Sequence, residues 1–101
     1  MFLAMNRFYV ARGKEDTFIE HWRNRNSHLE EMPGFRGFHL LRGESNEDHT
    51  LFVSHSGWDS EAAFGNWTRS EAFRKAHGAT ATPIREVYLE PPYLELFESV
   101  L

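Results

Sequence analysis

The chain contains no cysteine. That excludes disulfides, thiolate metal ligands, iron–sulfur clusters and thiol nucleophiles, so a metal can enter only through histidine, carboxylate or a cofactor. Positive charge is also sparse: eleven Lys and Arg against fifteen Asp and Glu leave a formal charge of -4. The basic residues are interleaved with acids rather than clustered, and without a basic field no nucleic-acid partner is expected. Long apolar runs are missing too. No stretch approaches the roughly 20 residues that span a bilayer, and Met1 to Arg7 lacks the charged-then-apolar order of a signal peptide, so no membrane contact and a cytoplasmic location are expected. A Gly-rich phosphate loop, a GxSxG elbow, a Walker lysine and an HExxH pair are all absent, which removes support for nucleotide-binding and hydrolase readings.

What is present suits one packed domain over residues 1–101. The chain is 41% hydrophobic and 15% aromatic, and 101 residues are enough for one core and too few for two. Residues 2–11 alternate Phe2, Ala4, Asn6, Phe8 and Val10 with Leu3, Met5, Arg7 and Tyr9, the period of a strand. Both sets are largely apolar, so both faces are expected to be covered. After Gly13, the spacing of Phe18, Ile19, Trp22, Asn26 and Leu29 predicts an amphipathic helix from about Glu15 to Glu31, stopped by Pro33-Gly34. Phe35–Arg42 and Thr50–Ser56 read as a hairpin across the polar turn 43–48. Asp59 or Ser60 can cap a helix from Glu61, and Ser70 a further turn from Glu71, with a break near Thr68 and a stop at Gly78. Residues 78–84 read as a loop, and Val87 to Phe97 as a last strand disturbed by Pro91-Pro92.

The order strand, helix, strand, strand, helix, strand predicts an α+β, ferredoxin-like split βαβ domain with an antiparallel sheet and both helices on one face. Two helices cover only one face, so a second copy of the chain is expected to cover the other, closing a homodimeric barrel.

Three residues invite a chemical reading. His77 ends a helix between Ala76 and Gly78, small neighbours that leave room for a flat ligand and make it a plausible axial iron ligand; the competing reading is an imidazole satisfied by the helix C-terminus. Trp67 pairs with Phe64 one turn earlier, which core packing alone would explain. In one unbroken helix Trp67 and His77 would lie about 15 Å apart along the axis and roughly 80° apart in direction, so a break at Ser70 is needed for both to line one pocket. Asn6 occupies a strand position among Phe2, Ala4, Phe8 and Val10, where an amide must either bond the backbone or face a ligand. His21, His28, His39, His49 and His55 form no local metal pattern.

Asn6-Arg7, Pro33-Gly34-Phe35-Arg36-Gly37-Phe38 and the run Trp58, Ser60, Ala63, Phe64, Trp67, Ser70, Phe73, Ala76, His77 together resemble the IsdG-type haem-degrading monooxygenases, which belong to the antibiotic-biosynthesis monooxygenase superfamily of dimeric α+β barrels. The resemblance spans nearly the whole chain, and the asparagine, tryptophan and histidine are its discriminating part. It implies an oxidoreductase in which haem is both cofactor and substrate. His77 would bind the iron, O2 would be held on the opposite side near the Asn6 amide, and Trp67 would press the porphyrin out of plane. Phe64, Trp22 and Arg25 would line the pocket, with Arg25 available to a propionate. Electrons would come from an external donor, an unidentified reductase, and ring opening would release iron and a linear tetrapyrrole. The alternatives are a cofactor-free monooxygenase acting on a small aromatic, a haem-binding protein that leaves the porphyrin intact, and a ligand-free dimeric barrel.

Overall fold

The computed structural model describes residues 1–24, 29–70, 89 and 92–101. Strand β1 (Phe2–Ala11) leads into helix α1 (Glu15–Arg23); β2 (Phe35–Ser45) and β3 (His49–Trp58) follow, then helix α2 (Glu61–Thr68) and β4 (Tyr93–Glu98). All pairs are antiparallel, in the spatial order β2-β3-β1-β4. The chain therefore adopts the ferredoxin-like α+β fold.

Alternation along β1 decides what each face meets. Phe8 and Val10 pack with Phe52 of β3 under Phe18 of α1, with Ile19, Trp22 and Leu40 at the margin. Phe18 has no exposed surface, and burying such a ring contributes roughly 1.5–3 kcal/mol. Phe2, Trp58 and Trp67 form a second cluster, edged by Leu29, Met32, Phe35, Ala63 and Phe64. The two helices thus hold opposite ends of one sheet face.

The other face is uncovered by these helices. It carries Leu3, Met5, Arg7 and Tyr9 of β1, with Gly57, His55, Val53 and Leu51 opposite them on β3. His39 and Leu41 extend it onto β2, and Phe97, Glu95 and Tyr93 onto β4. Leu3, Met5, Val53 and His55 are half-buried, whereas Leu41, Tyr93 and Phe97 are exposed.

Local chemistry sets the element ends. Ser60 Oγ accepts the Ala63 N–H at 3.2 Å, so Ser60 rather than Asp59 caps α2. Helix α2 ends at Thr68, close to the break expected there; residues 71–77, the second half of that stretch, lie outside the described residues. Helix α1 stops at Arg23, well before Glu31, and the chain makes a separate 3-10 turn over Leu29–Glu31. Apolar periodicity ran on past Arg23 because Leu29 packs into the second cluster from that turn, not from the helix. Asn46 Oδ1 accepts the Asp48 and His49 N–H groups at 2.8 Å each, which tightens the hairpin and lets β2 run on to Ser45. Strand β4 begins at Tyr93, immediately after the prolines.

Gly34 makes the close approach between the hairpin and α2. Its φ is +84°, and a Cβ there would stand 2.7 Å from that of Ala63. Its carbonyl also accepts the Asp59 N–H at 2.8 Å. Beyond it, the register shifts between Phe35 and Gly37. This bulge allows Phe35 to join Trp58 while Phe38 still faces α1.

Candidate active site

The two aromatic clusters leave a strip of small and polar side chains between them on the helix-covered face. In register across β1 and β3 it consists of Ala4 with Ser56 and Asn6 with Ser54, and it continues onto β4 as Leu96 and Leu94. Ala4 and Ser54 are buried, Asn6 and Ser56 are half-buried, and Leu94 and Leu96 are exposed. A strip without bulk between two walls of rings is the shape that admits a flat, largely apolar ligand.

Asn6 stands in the middle of this strip. Its side chain makes no hydrogen bond to any described residue, and so bonds the backbone of none of them. Ser56, by contrast, is committed to the fold: its Oγ accepts Trp58 Nε1–H at 3.0 Å and lies 3.4 Å from the Ala4 carbonyl.

On the α1 side, Trp22 lies flat along Phe38, centroids 5.5 Å apart at 22°, and meets Phe8 edge-on at 5.8 Å. On the α2 side, Trp67 lies nearly parallel to Trp58, centroids 6.5 Å apart at 24°. Phe64 packs against Phe2 and Trp58 at 5.8 and 5.9 Å. Trp67 is 95% enclosed, so its ring is also part of the core at that end of the sheet. The structure therefore brings Trp67 and Phe64 together, places Trp22 in the opposite wall and sets Asn6 on the strip between. His77 and Arg25 lie outside the described residues.

Sequence reasoning named Trp58 and Phe38 only as motif residues and did not name Ser54, and it placed none of the three in these surfaces, which they complete. The signal was available for Trp58 and Ser54, since both continue the even-numbered face of β3 from Thr50 and Phe52. It was hidden for Phe38, because the bulge at Arg36 resets the alternation of β2.

Ionic interactions lie around this site rather than in it. Arg7 Nε meets Glu95 at 3.1 Å and joins β1 to β4 on the open face. At the start of α1, the Thr50 hydroxyl donates to Glu15 Oε2 at 2.8 Å and the Gly13 N–H to Oε1 at 2.7 Å. The Thr50 hydroxyl first, then backbone N–H groups and the Arg12 guanidinium, hold the Glu15 carboxyl below the usual glutamate range. Among the described residues, no group of three or more His, Asp or Glu side chains is placed to hold a metal ion, and no helix is long and apolar enough to cross a membrane.

Residues 1–79 match the antibiotic biosynthesis monooxygenase family. The chain belongs to that family. Among relatives of this family member, a haem-degrading monooxygenase of Halalkalibacterium halodurans is 31% identical over 83 residues, covering 82% of this chain and 71% of that protein. A haem-degrading monooxygenase of Listeria welshimeri is 32% identical over 87 residues, covering 79% and 72%. The crystal structure of a MhuD mutant with two manganese protoporphyrin IX molecules bound per active site superposes with a TM-score of 0.77 at 27% identity, over 100% of this chain and 96% of that one. SnoaB, a cofactor-independent oxygenase from Streptomyces nogalater, has the same fold, with a TM-score of 0.70 at 22% identity, over 97% and 91%. The same fold therefore occurs in a protein crystallised with a metalloporphyrin and in an oxygenase that needs no cofactor.

Proposed function

We propose that this monooxygenase-family protein degrades haem, using O2 and electrons from an external donor to open the porphyrin and release iron and a linear tetrapyrrole for iron acquisition. The observation that carries the reading is the Asn6 amide, left without a partner among the described residues on a small-residue strip between two aromatic walls. The 31% and 32% identities to haem-degrading relatives support the same substrate. The residues fit the group, because a porphyrin needs flat apolar walls and a polar contact over its centre, which Trp22, Phe64, Trp67 and Asn6 offer.

Bound haem would supply the reduction of dioxygen and the carbon skeleton that is oxidised. The chain's part is to hold and to orient. Trp67, backed by Trp58, cannot recede when pressed, so the α2 wall would impose its contour on the ligand. Trp22, backed by Phe38, would confine the other side. Asn6 offers N–H donors on a half-buried strip, and once a ligand excludes water there a fixed donor would stabilise developing negative charge more strongly than water does. His77 would hold the haem iron, and Arg25 would be a pocket residue available to a propionate.

We further assign the open sheet face to a second copy of the chain, because half-buried Leu3, Met5, Leu51 and Val53 with exposed Leu41 and Phe97 make an apolar surface continuous across four strands. A cytoplasmic enzyme served by a separate reductase is the setting that follows.

The test is a haemin titration of the purified protein followed by reductant in air. A saturable Soret band at one haem per chain that then decays with release of iron is the expected result. A stable band would replace the proposal with haem carriage, and no binding would replace it with cofactor-free oxidation of a small aromatic.

A further inference from the structure

The open sheet face carries two histidines with no part in the haem reading. His39 and His55 stand opposite one another across β2 and β3, with ring centroids 6.0 Å apart at 42°. On the next strand Met5 is in register with His55, and alternation puts it on the same face. The order across the sheet is thus Glu95, Met5, His55, His39. Glu95 is engaged by Arg7 at 3.1 Å, which leaves a thioether and two imidazoles as the available donors.

His55 Nδ1 is closed off from water and makes no hydrogen bond. The side chains around it on this face, Leu3, Val53 and Leu41, have nothing to offer it. A water-excluded imidazole nitrogen without a partner is a donor suited to a metal ion, and adjacent positions on paired strands bring ligands within one coordination shell of each other. Among the described residues no three His, Asp or Glu side chains converge, so the row does not resemble a closed zinc or magnesium cage. Two neutral nitrogens and a thioether instead match the preference of soft monovalent copper.

We propose that His39, His55 and Met5 form a binding site for Cu(I) on the open sheet face. The site is separate from the haem cleft, on the opposite side of the sheet, and does not depend on haem degradation being the activity. In a dimer closed through this face the ion lies between the two sheets, so copper loading and association are coupled.

The test is an anaerobic titration of the full-length, tag-free, haem-free protein with Cu(I) against a chromophoric Cu(I) chelator, with Zn2+ titrated in parallel. One Cu(I) per chain is expected, bound more tightly than Zn2+. His39→Asn, at an exposed position, and Met5→Leu should each weaken Cu(I) binding by about tenfold or more, with far-UV circular dichroism unchanged. Wild-type Cu(I) affinity in His39→Asn would overturn the site, because the ion would then be held elsewhere. Zinc bound as tightly as copper, or Cu(I) affinity indifferent to Met5→Leu, would overturn the assignment to copper.

Discussion

Asn6 is an amide placed where strand patterning asks for a hydrocarbon, between Ala4 and Phe8 on the buried face. With no partner to lose among the described residues, Asn6→Ala should leave the fold and haem affinity largely intact while lowering turnover by about 100-fold, the scale on which a single preorganised donor acts. Parallel haemin titrations and single-turnover decay of the Soret band separate the two effects, and equal turnover would remove Asn6 from the mechanism. Glu15 makes a different kind of contribution. Its folded pKa is lowered by Thr50, by backbone N–H groups and by Arg12, so its stabilising effect is present above the ordinary glutamate value of 4.5 and is lost as pH falls through the lower folded value. Glu15→Gln should therefore melt below wild type at about pH 6, with the gap narrowing as pH falls below the ordinary glutamate value. Thermal melts across that range check it, and a constant gap would mean that the carboxylate charge is irrelevant.

Among the elements, the hairpin and α2 meet at Gly34, and two glycines with similar backbone separate strain from crowding. Gly13 and Gly34 have φ of +88° and +84°, but a Cβ on Gly13 meets nothing within 4 Å while one on Gly34 overlaps Ala63. Gly13→Ala should cost about 1 kcal/mol from the backbone alone; Gly34→Ala should cost about 1–3 kcal/mol more through the clash. Urea denaturation of both variants measures the difference, and equal losses would mean that α2 shifts freely. Ser60→Ala removes the cap of that helix and should cost about 1 kcal/mol in the same assay. The six-element order and a cap at Asp59 or Ser60 were legible in the sequence because strand alternation and N-caps are written in neighbouring residues, while the choice of Ser60 was the structure's. The end of α1 was not, since Leu29 keeps the apolar period while belonging to a separate turn.

Among the described residues, one sheet face lies under helices and the other is bare. Val53 sits near the middle of the bare face, half-buried between Arg7 on β1 and Leu41 on β2. If a second copy covers it, Val53→Glu should shift sedimentation from dimer to monomer without unfolding, because an unpaired carboxylate in a closed interface costs several kcal/mol and in water costs little. Unchanged association would place the interface elsewhere. The fold itself is shared by a protein crystallised with manganese protoporphyrin IX and by a cofactor-independent oxygenase, so the fold alone does not select the chemistry.

The sequence by itself determined the elements, the order in which they occur and the family, because periodicity, caps and turn residues act over a few positions and the family motif is carried by residue types at fixed spacings. Only the tertiary structure decided that Asn6 leaves the backbone of the described residues unbonded, that Trp67 rests on Trp58 while Trp22 rests on Phe38, and that His39 meets His55. Each of these depends on strand register and on a bulge in β2, which bring together residues far apart in the chain through hydrogen bonds that no local pattern of side chains encodes.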